Sequence, residues 1–197
     1  MNIKKFIIIF FIYYFSSFVN LYSVEPDVFV QSTVNRASKI LSENISKEKK
    51  IIELQIIAKD TVDIKRIGFY TLGSARKNLN DDQKSKYSKL FEDYFLKTFS
   101  SRLAEYTNPE INVYDKEKIN ENYTIVKSTL KATDSRPEVK IDWRIITKDP
   151  DNPLILDLII EGLSLARTQK EEFSSILVSN DGNINALFET LINFTNK

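Results

Sequence analysis

Apolar positions recur at helical spacing through the first half of the chain and at strand spacing through much of the second. Residues 27–44 put Val30, Val34, Ala37, Ile40 and Leu41 on one face, and 47–59 predicts a second, shorter helix. A third helix is predicted over 61–76, with Ile64, Ile67, Gly68, Thr71, Leu72 and Ala75 along one side. The fourth has the clearest signal. Asn80 followed by Gln83 makes a capping box, and Asp81 and Asp82 suit the positive end of a helix. Tyr87, Leu90, Phe91, Tyr94, Phe95, Thr98, Phe99, Leu103 and Tyr106 then keep the 3-4 spacing until Asn108-Pro109 stops it.

The second half predicts strands at 111–116, 123–132, 139–147 and 154–163. The third alternates best: Val139, Ile141, Trp143 and Ile145 share one face, and Lys140, Asp142 and Arg144 the other, so Asp142 is expected to face solvent. The fourth is an Ile- and Leu-rich run broken only by Asp157, the pattern of a strand buried on both faces. Glu161-Gly162 punctuates it before Leu165, Gln169, Phe173, Ile176 and Leu177 resume helical spacing. Short Asp/Pro-rich links between strands suit antiparallel hairpins. Helices at 168–178 and 183–194 close an α+β roll.

The first residues change the setting. Lys4-Lys5 precede an apolar run over 6–15, too short for a comfortable membrane span, so 1–23 reads as a signal peptide cut after Ser23. An uncleaved anchor is the competing reading. The expected domain organisation is therefore a signal peptide, 1–23, and one domain, 24–197. The first segment holds two of the 28 basic side chains and none of the 27 acidic ones. The remainder is nearly neutral and offers no single-sign field for nucleic acid.

The chain has no cysteine and no histidine, which removes disulfide scaffolds, imidazole-based nucleophilic catalysis and histidine zinc sites. No metal or cofactor is expected. Three glycosylation sequons, at Asn44, Asn122 and Asn193, arise easily by chance in an Asn-rich chain.

Three features coincide: Leu72-Gly73 closing one helix, the aromatic-rich helix after Asn80-Asp-Asp-Gln83, and the run Asp157-Leu-Ile-Ile-Glu-Gly162-Leu-Ser164-Leu165 leading to Phe173. Together they resemble MlaC, the toluene-tolerance family of periplasmic phospholipid-binding proteins of the Mla pathway. The resemblance implies an NTF2-like roll of N-terminal helices and antiparallel sheet around an apolar cavity. It also implies a monomeric carrier in the periplasm of a Gram-negative bacterium. Such a carrier moves phospholipid between an outer-membrane lipoprotein–porin complex and the inner-membrane Mla ABC transporter complex, in support of outer-membrane lipid asymmetry. Two departures stand out: Gln169-Lys170 where the family tends to carry Tyr-Arg, and Pro153 or Leu154 where it tends to carry an aromatic.

On that resemblance the lipid-binding candidates are Phe91, Phe95 and Phe99 on the long helix, Ile141, Trp143 and Ile145 on the third strand, and Leu156, Leu158 and Ile160 on the fourth. An ordinary filled core needs the same stripe, so periodicity alone does not assign these side chains to a ligand. Two further function classes stay open. Asp157 could pair with Arg144 across strands, or act as the buried general base of a roll-fold enzyme. The clusters Lys47/Lys49/Lys50 and Lys84/Lys86/Lys89 could dock an acidic partner if the protein were a non-catalytic adaptor.

Overall fold

In the computed structural model, which describes residues 24–196, helices precede a sheet and two helices return onto it. The expected signal peptide lies outside the described residues. Helix α1 spans Pro26–Ser42, with proline at its first turn, where a missing N–H costs nothing. Helix α2, Lys47–Thr61, is N-capped by Ser46, whose hydroxyl accepts from the Lys49 N–H.

The helix predicted over 61–76 is divided. Val62 leaves the helical path to make a parallel bridge with Ile155, and the Asp63 N–H donates to the Ile155 carbonyl at 3.0 Å. An otherwise unpaired strand edge is satisfied in this way. Helix α3, Ile64–Thr71, then starts with Asp63 as its cap, and a 3-10 turn over Gly73–Lys77 follows. Helix α4, Asp81–Leu103, carries both halves of the Asn80/Gln83 capping box. It ends before Tyr106, which instead lies beneath the Arg136 guanidinium at 4.7 Å.

Strands β1 (Ile111–Asn120), β2 (Tyr123–Leu130), β3 (Val139–Ile146), β4 (Leu154–Ile160) and β5 (Leu163–Ser164) form one antiparallel meander in chain order. β1 outruns its predicted end at 116 because its second half is polar and exposed, with no apolar alternation to read. Lys127 of β2 anchors that half by ion pairs to Asp115 and Glu117. The run 154–163 is not one strand: Glu161 and Gly162 both have positive φ, 49° and 82°, and the chain folds back on itself as β5. This is the backbone twist a two-residue hairpin requires. Nor is β4 buried on both faces. Leu156, Leu158, Ile159 and Ile160 are only half-buried, because two-residue β5 gives β4 little cover and the first two face a cavity.

Helix α5, Leu165–Val178, follows β5 directly and starts three residues before its predicted position, with Ser164 as its cap. Helix α6, Ile184–Thr195, buries Leu187, Phe188 and Leu191 against α4 and α5. The architecture is α+β, as expected. α1 fastens to the β1 edge: Gln31 accepts from the Val113 N–H at 3.1 Å, and Lys116 pairs with Glu25 and Asp27. No helix among the described residues is long and apolar enough to cross a membrane.

Candidate functional site

Helices α4 and α5 lie over β3 and β4 and are bridged by side chains. The Phe173 ring meets Phe91 edge-on at 6.2 Å, and Tyr94 lies 5.9 Å from Phe173. Between these helices and the sheet is a cavity with about 1040 Å³ of empty space, its open mouth included.

Its long wall is the aromatic face of α4. Phe91, Tyr94, Phe95, Thr98, Phe99 and Arg102 line it in succession. At a rise of 1.5 Å per residue, Phe91 and Arg102 stand about 16 Å apart along the helix axis. Phe91 is buried, Phe95 and Phe99 are half-buried, and Arg102 is exposed. The wall therefore runs from a closed apolar end to a wet one. Phe95 and Phe99 stack at 5.5 Å with only 10° between their planes. The floor is Trp143, Ile155, Leu156 and Leu158, and Val62 and Ile67 close one side.

Of the nine sequence candidates, Phe91, Phe95, Phe99, Trp143, Leu156 and Leu158 line the cavity. Ile141, Ile145 and Ile160 do not. Ile145 shares the Trp143 face but is fully buried opposite Ile155, where the Val62 bridge closes the helices onto the sheet. Ile141 and Ile160 pair with each other at the far end of the strands, beside the β4–β5 turn. Between them the register skips a residue: Arg144 faces Asp157 and Ile145 faces Ile155, leaving Leu156 as a bulge. Bulges re-aim side chains locally, and this one turns Ile155 onto the face of Ile145, while Leu156 lines the cavity beside Leu158 as alternation expects.

Trp143 is fixed from behind. Its indole N–H donates to Ser128 Oγ at 2.8 Å, and that hydroxyl donates to the Ile141 carbonyl at 3.0 Å. A large apolar face can then meet the cavity with no unsatisfied donor.

Polar groups gather toward the α5 side. The Tyr94 hydroxyl donates to Gln169 Oε1 at 2.9 Å, and Gln169 Nε2 donates to Glu172 at 2.8 Å. Burial, reinforced by the Glu172 charge, pushes the Tyr94 hydroxyl above its ordinary pKa, against the opposing pull of Gln169 and Arg102. Thr98 Oγ1, one turn on, is close enough to act on that hydroxyl but makes no hydrogen bond and is buried. None of Arg102, Gln169 and Glu172 was among the sequence candidates for this site. Arg102 was legible, since it follows Thr98 by one turn in the same stripe; Gln169 stood out as a position of the next helical stripe and as a departure from the family.

Both carboxylate oxygens of Asp157 are engaged. One carboxylate oxygen accepts from the Ser164 hydroxyl at 2.6 Å, the other from the Ala166 N–H at 3.0 Å, and Arg144 stands 3.9 Å away. The Asp157–Gly162–Ser164 motif is thus a fastening for the start of α5: a reversal at Gly162, a cap at Ser164 and a buried carboxylate behind both. Asp142 is half-buried rather than solvent-facing, because Ile159 lies opposite it on β4. No carboxylate cluster able to hold a metal occurs among the described residues.

A family model described as MlaC protein matches residues 31–193. The fold is similar to that of a phospholipid-binding protein from Ralstonia solanacearum, solved in complex with a phospholipid. The two share 19% identity over 87% of this chain and 97% of that one, with a TM-score of 0.74. No curated protein matches the chain.

Proposed function

We propose that this chain, which belongs to the MlaC family, is a non-enzymatic phospholipid carrier that holds acyl chain in the cavity between α4, α5 and the sheet. The observation that supports this most directly is the wall itself: a largely aromatic and aliphatic lining about 16 Å long, apolar at its closed end and reaching exposed charges at its mouth. An ordinary core would have filled this space, since interiors are packed close to crystal density.

The energetics suit the task. Each buried methylene is worth about 0.8 kcal/mol, so two chains of ordinary length represent on the order of 20–25 kcal/mol. Apolar walls must replace most of that without greatly exceeding it, or the carrier would never unload. Phe91, Phe95, Phe99, Trp143, Leu156 and Leu158 meet the chains in this reading; Ile141, Ile145 and Ile160 support the floor from within the core. The carrier unit is 24–197, exported to the periplasm after loss of 1–23. It shuttles between the outer-membrane lipoprotein–porin complex and the inner-membrane Mla ABC transporter complex. Those partners supply direction, because equal affinity for two states shifts neither.

Native mass spectrometry of residues 24–197, purified without detergent and paired with organic extraction, tests the reading. The expected result is phospholipid near one molecule per chain. A protein that is empty, and stays empty after incubation with liposomes, overturns it.

A further inference from the structure

The chain is nearly neutral as a whole, but its charge is not evenly spread. No acidic residue occurs between Ile64 and Asn80, a stretch that holds Lys65, Arg66, Arg76 and Lys77, all exposed. Helix α5 brings further cations to the same face. The Lys170 ammonium lies 5.3 Å from the centre of the exposed Tyr70 ring, and a β-carbon on Gly73 would stand 3.1 Å from Lys170 Cε. Lys170 thus touches both α3 and the 3-10 turn that carries Arg76 and Lys77. Arg66 precedes Tyr70 by one turn, and exposed Arg167 precedes Lys170 by one turn, so both extend the patch around the tyrosine.

The neighbouring acids leave a surplus of positive charge. Asp63 pairs with Arg66 at 2.9 Å, and Asp81, at the start of α4, pairs with Lys84 at 3.3 Å. Glu171 on α5 and Asp82 on α4 are exposed beside the patch. Against these two, Lys65, Arg76, Lys77, Arg167 and Lys170 have no ion-pair partner among the described residues. None of the patch residues lines the cavity.

We propose that this face of α3, the 3-10 turn and α5 is a docking surface for the anionic headgroups of a bilayer, a property beyond the carrier reading and independent of it. Dispersed cations around one amphipathic ring suit lipid phosphates and the interfacial zone, where tyrosine is favoured. A protein interface calls for an apolar core depleted of charge, and Tyr70 is the one large apolar side chain exposed between residues 64 and 80. Exposed charges are screened by salt, so the docking is weak and reversible.

Flotation of residues 24–197 with vesicles of phosphatidylcholine, with and without an equal part of phosphatidylglycerol, tests this. Association is expected with the anionic vesicles alone, and its loss is expected at about 1 M salt, where the Debye length falls to about 3 Å. Each cation near an anionic surface contributes about fivefold, so Arg76→Gln with Lys77→Gln should weaken association on the order of twentyfold. Lys47→Gln with Lys49→Gln, an equal loss of charge on α2, should weaken it less than about threefold. Unchanged melting temperatures verify the fold of both variants. Equal association with neutral vesicles, equal losses in the two variants, or no association with either vesicle overturns the proposal. Salt-sensitive retention on immobilised polyglutamate without vesicle association would assign the face to an acidic protein instead, and overturns it too. Native mass spectrometry of the same samples reads lipid loading separately: an empty protein that still floats with anionic vesicles overturns the carrier reading alone.

Discussion

A β-carbon placed on Gly68 of α3 would stand 2.7 Å from Cδ1 of Phe91, closer than side chains are found to approach. The Phe91 ring lies directly on the α3 backbone, and its other neighbours are Tyr87, Tyr94, Phe95 and Phe173. The ring also lines the cavity, which offers it room to move. Gly68→Ala is therefore expected to drive the ring outward and to shorten the cavity at its closed end. Overpacking of this kind costs about 1–3 kcal/mol, against roughly 1 kcal/mol gained from alanine's better helix propensity. A lower urea midpoint together with reduced lipid loading checks it. Adding Phe91→Leu should restore part of both, because the two sites share one contact.

Trp143 offers an internal reporter, as the chain's only tryptophan and a residue of the cavity floor. Phospholipid brominated along its acyl chains should quench its fluorescence on loading, and lipid labelled on the headgroup should not. Quenching by the headgroup label alone would reverse the orientation of the bound lipid. Ser128→Ala, which leaves the indole N–H without its buried acceptor, should cost about 1–3 kcal/mol in a denaturant titration.

Much of this framework was legible in the chain. The Asn80/Gln83 capping box and the 3-4 aromatic stripe are local signals, and both α4 and its cavity-facing residues follow from them. The strand alternation put Trp143 on the inner face for the same reason. What was hidden depends on contacts distant in sequence. Val62 leaves a helical path because Ile155, far along the chain, has a free strand edge. Ile145 leaves the cavity to pair with buried Ile155 through a register skip that is invisible to a period-2 pattern, while Leu156 lines it as expected. The Glu161 φ of 49° belongs to a residue that sequence alone would not single out for a left-handed turn.

Alkaline stability depends on Tyr87. Its side chain is fully buried, and its hydroxyl makes close contacts with Thr71 Oγ1 at 2.8 Å and the Gly68 carbonyl at 3.1 Å. Burial pushes its pKa up from the ordinary 10.0, and Tyr94 is shifted in the same direction. A raised pKa means the unfolded chain loses its proton first. The stabilisation is complete below pH 10 and is lost as pH rises from there toward the folded value. Tyr87→Phe should flatten that alkaline decline while costing about 1 kcal/mol near neutrality for the lost hydrogen bonding. Urea midpoints at pH 7 and pH 10.5 for the two proteins separate these effects.

Asp157 decides between a fastening and a catalytic base. Its two carboxylate oxygens hold the Ser164 hydroxyl and the Ala166 N–H, so Asp157→Ala would strand both donors at the point where β5 becomes α5. The expected cost is about 1–3 kcal/mol, with faster amide exchange concentrated at the first turn of α5. Asp157→Asn, which keeps an acceptor for one donor and matches the shape, should lose less. In neither variant should loaded phospholipid change chemically, because the carboxylate's acceptor sites point into the protein's own backbone and side chains. A general base would behave oppositely, with stability nearly intact and turnover of an added substrate abolished. Exchange rates at 165–168 and the mass of recovered lipid, measured on the same samples, tell the two apart.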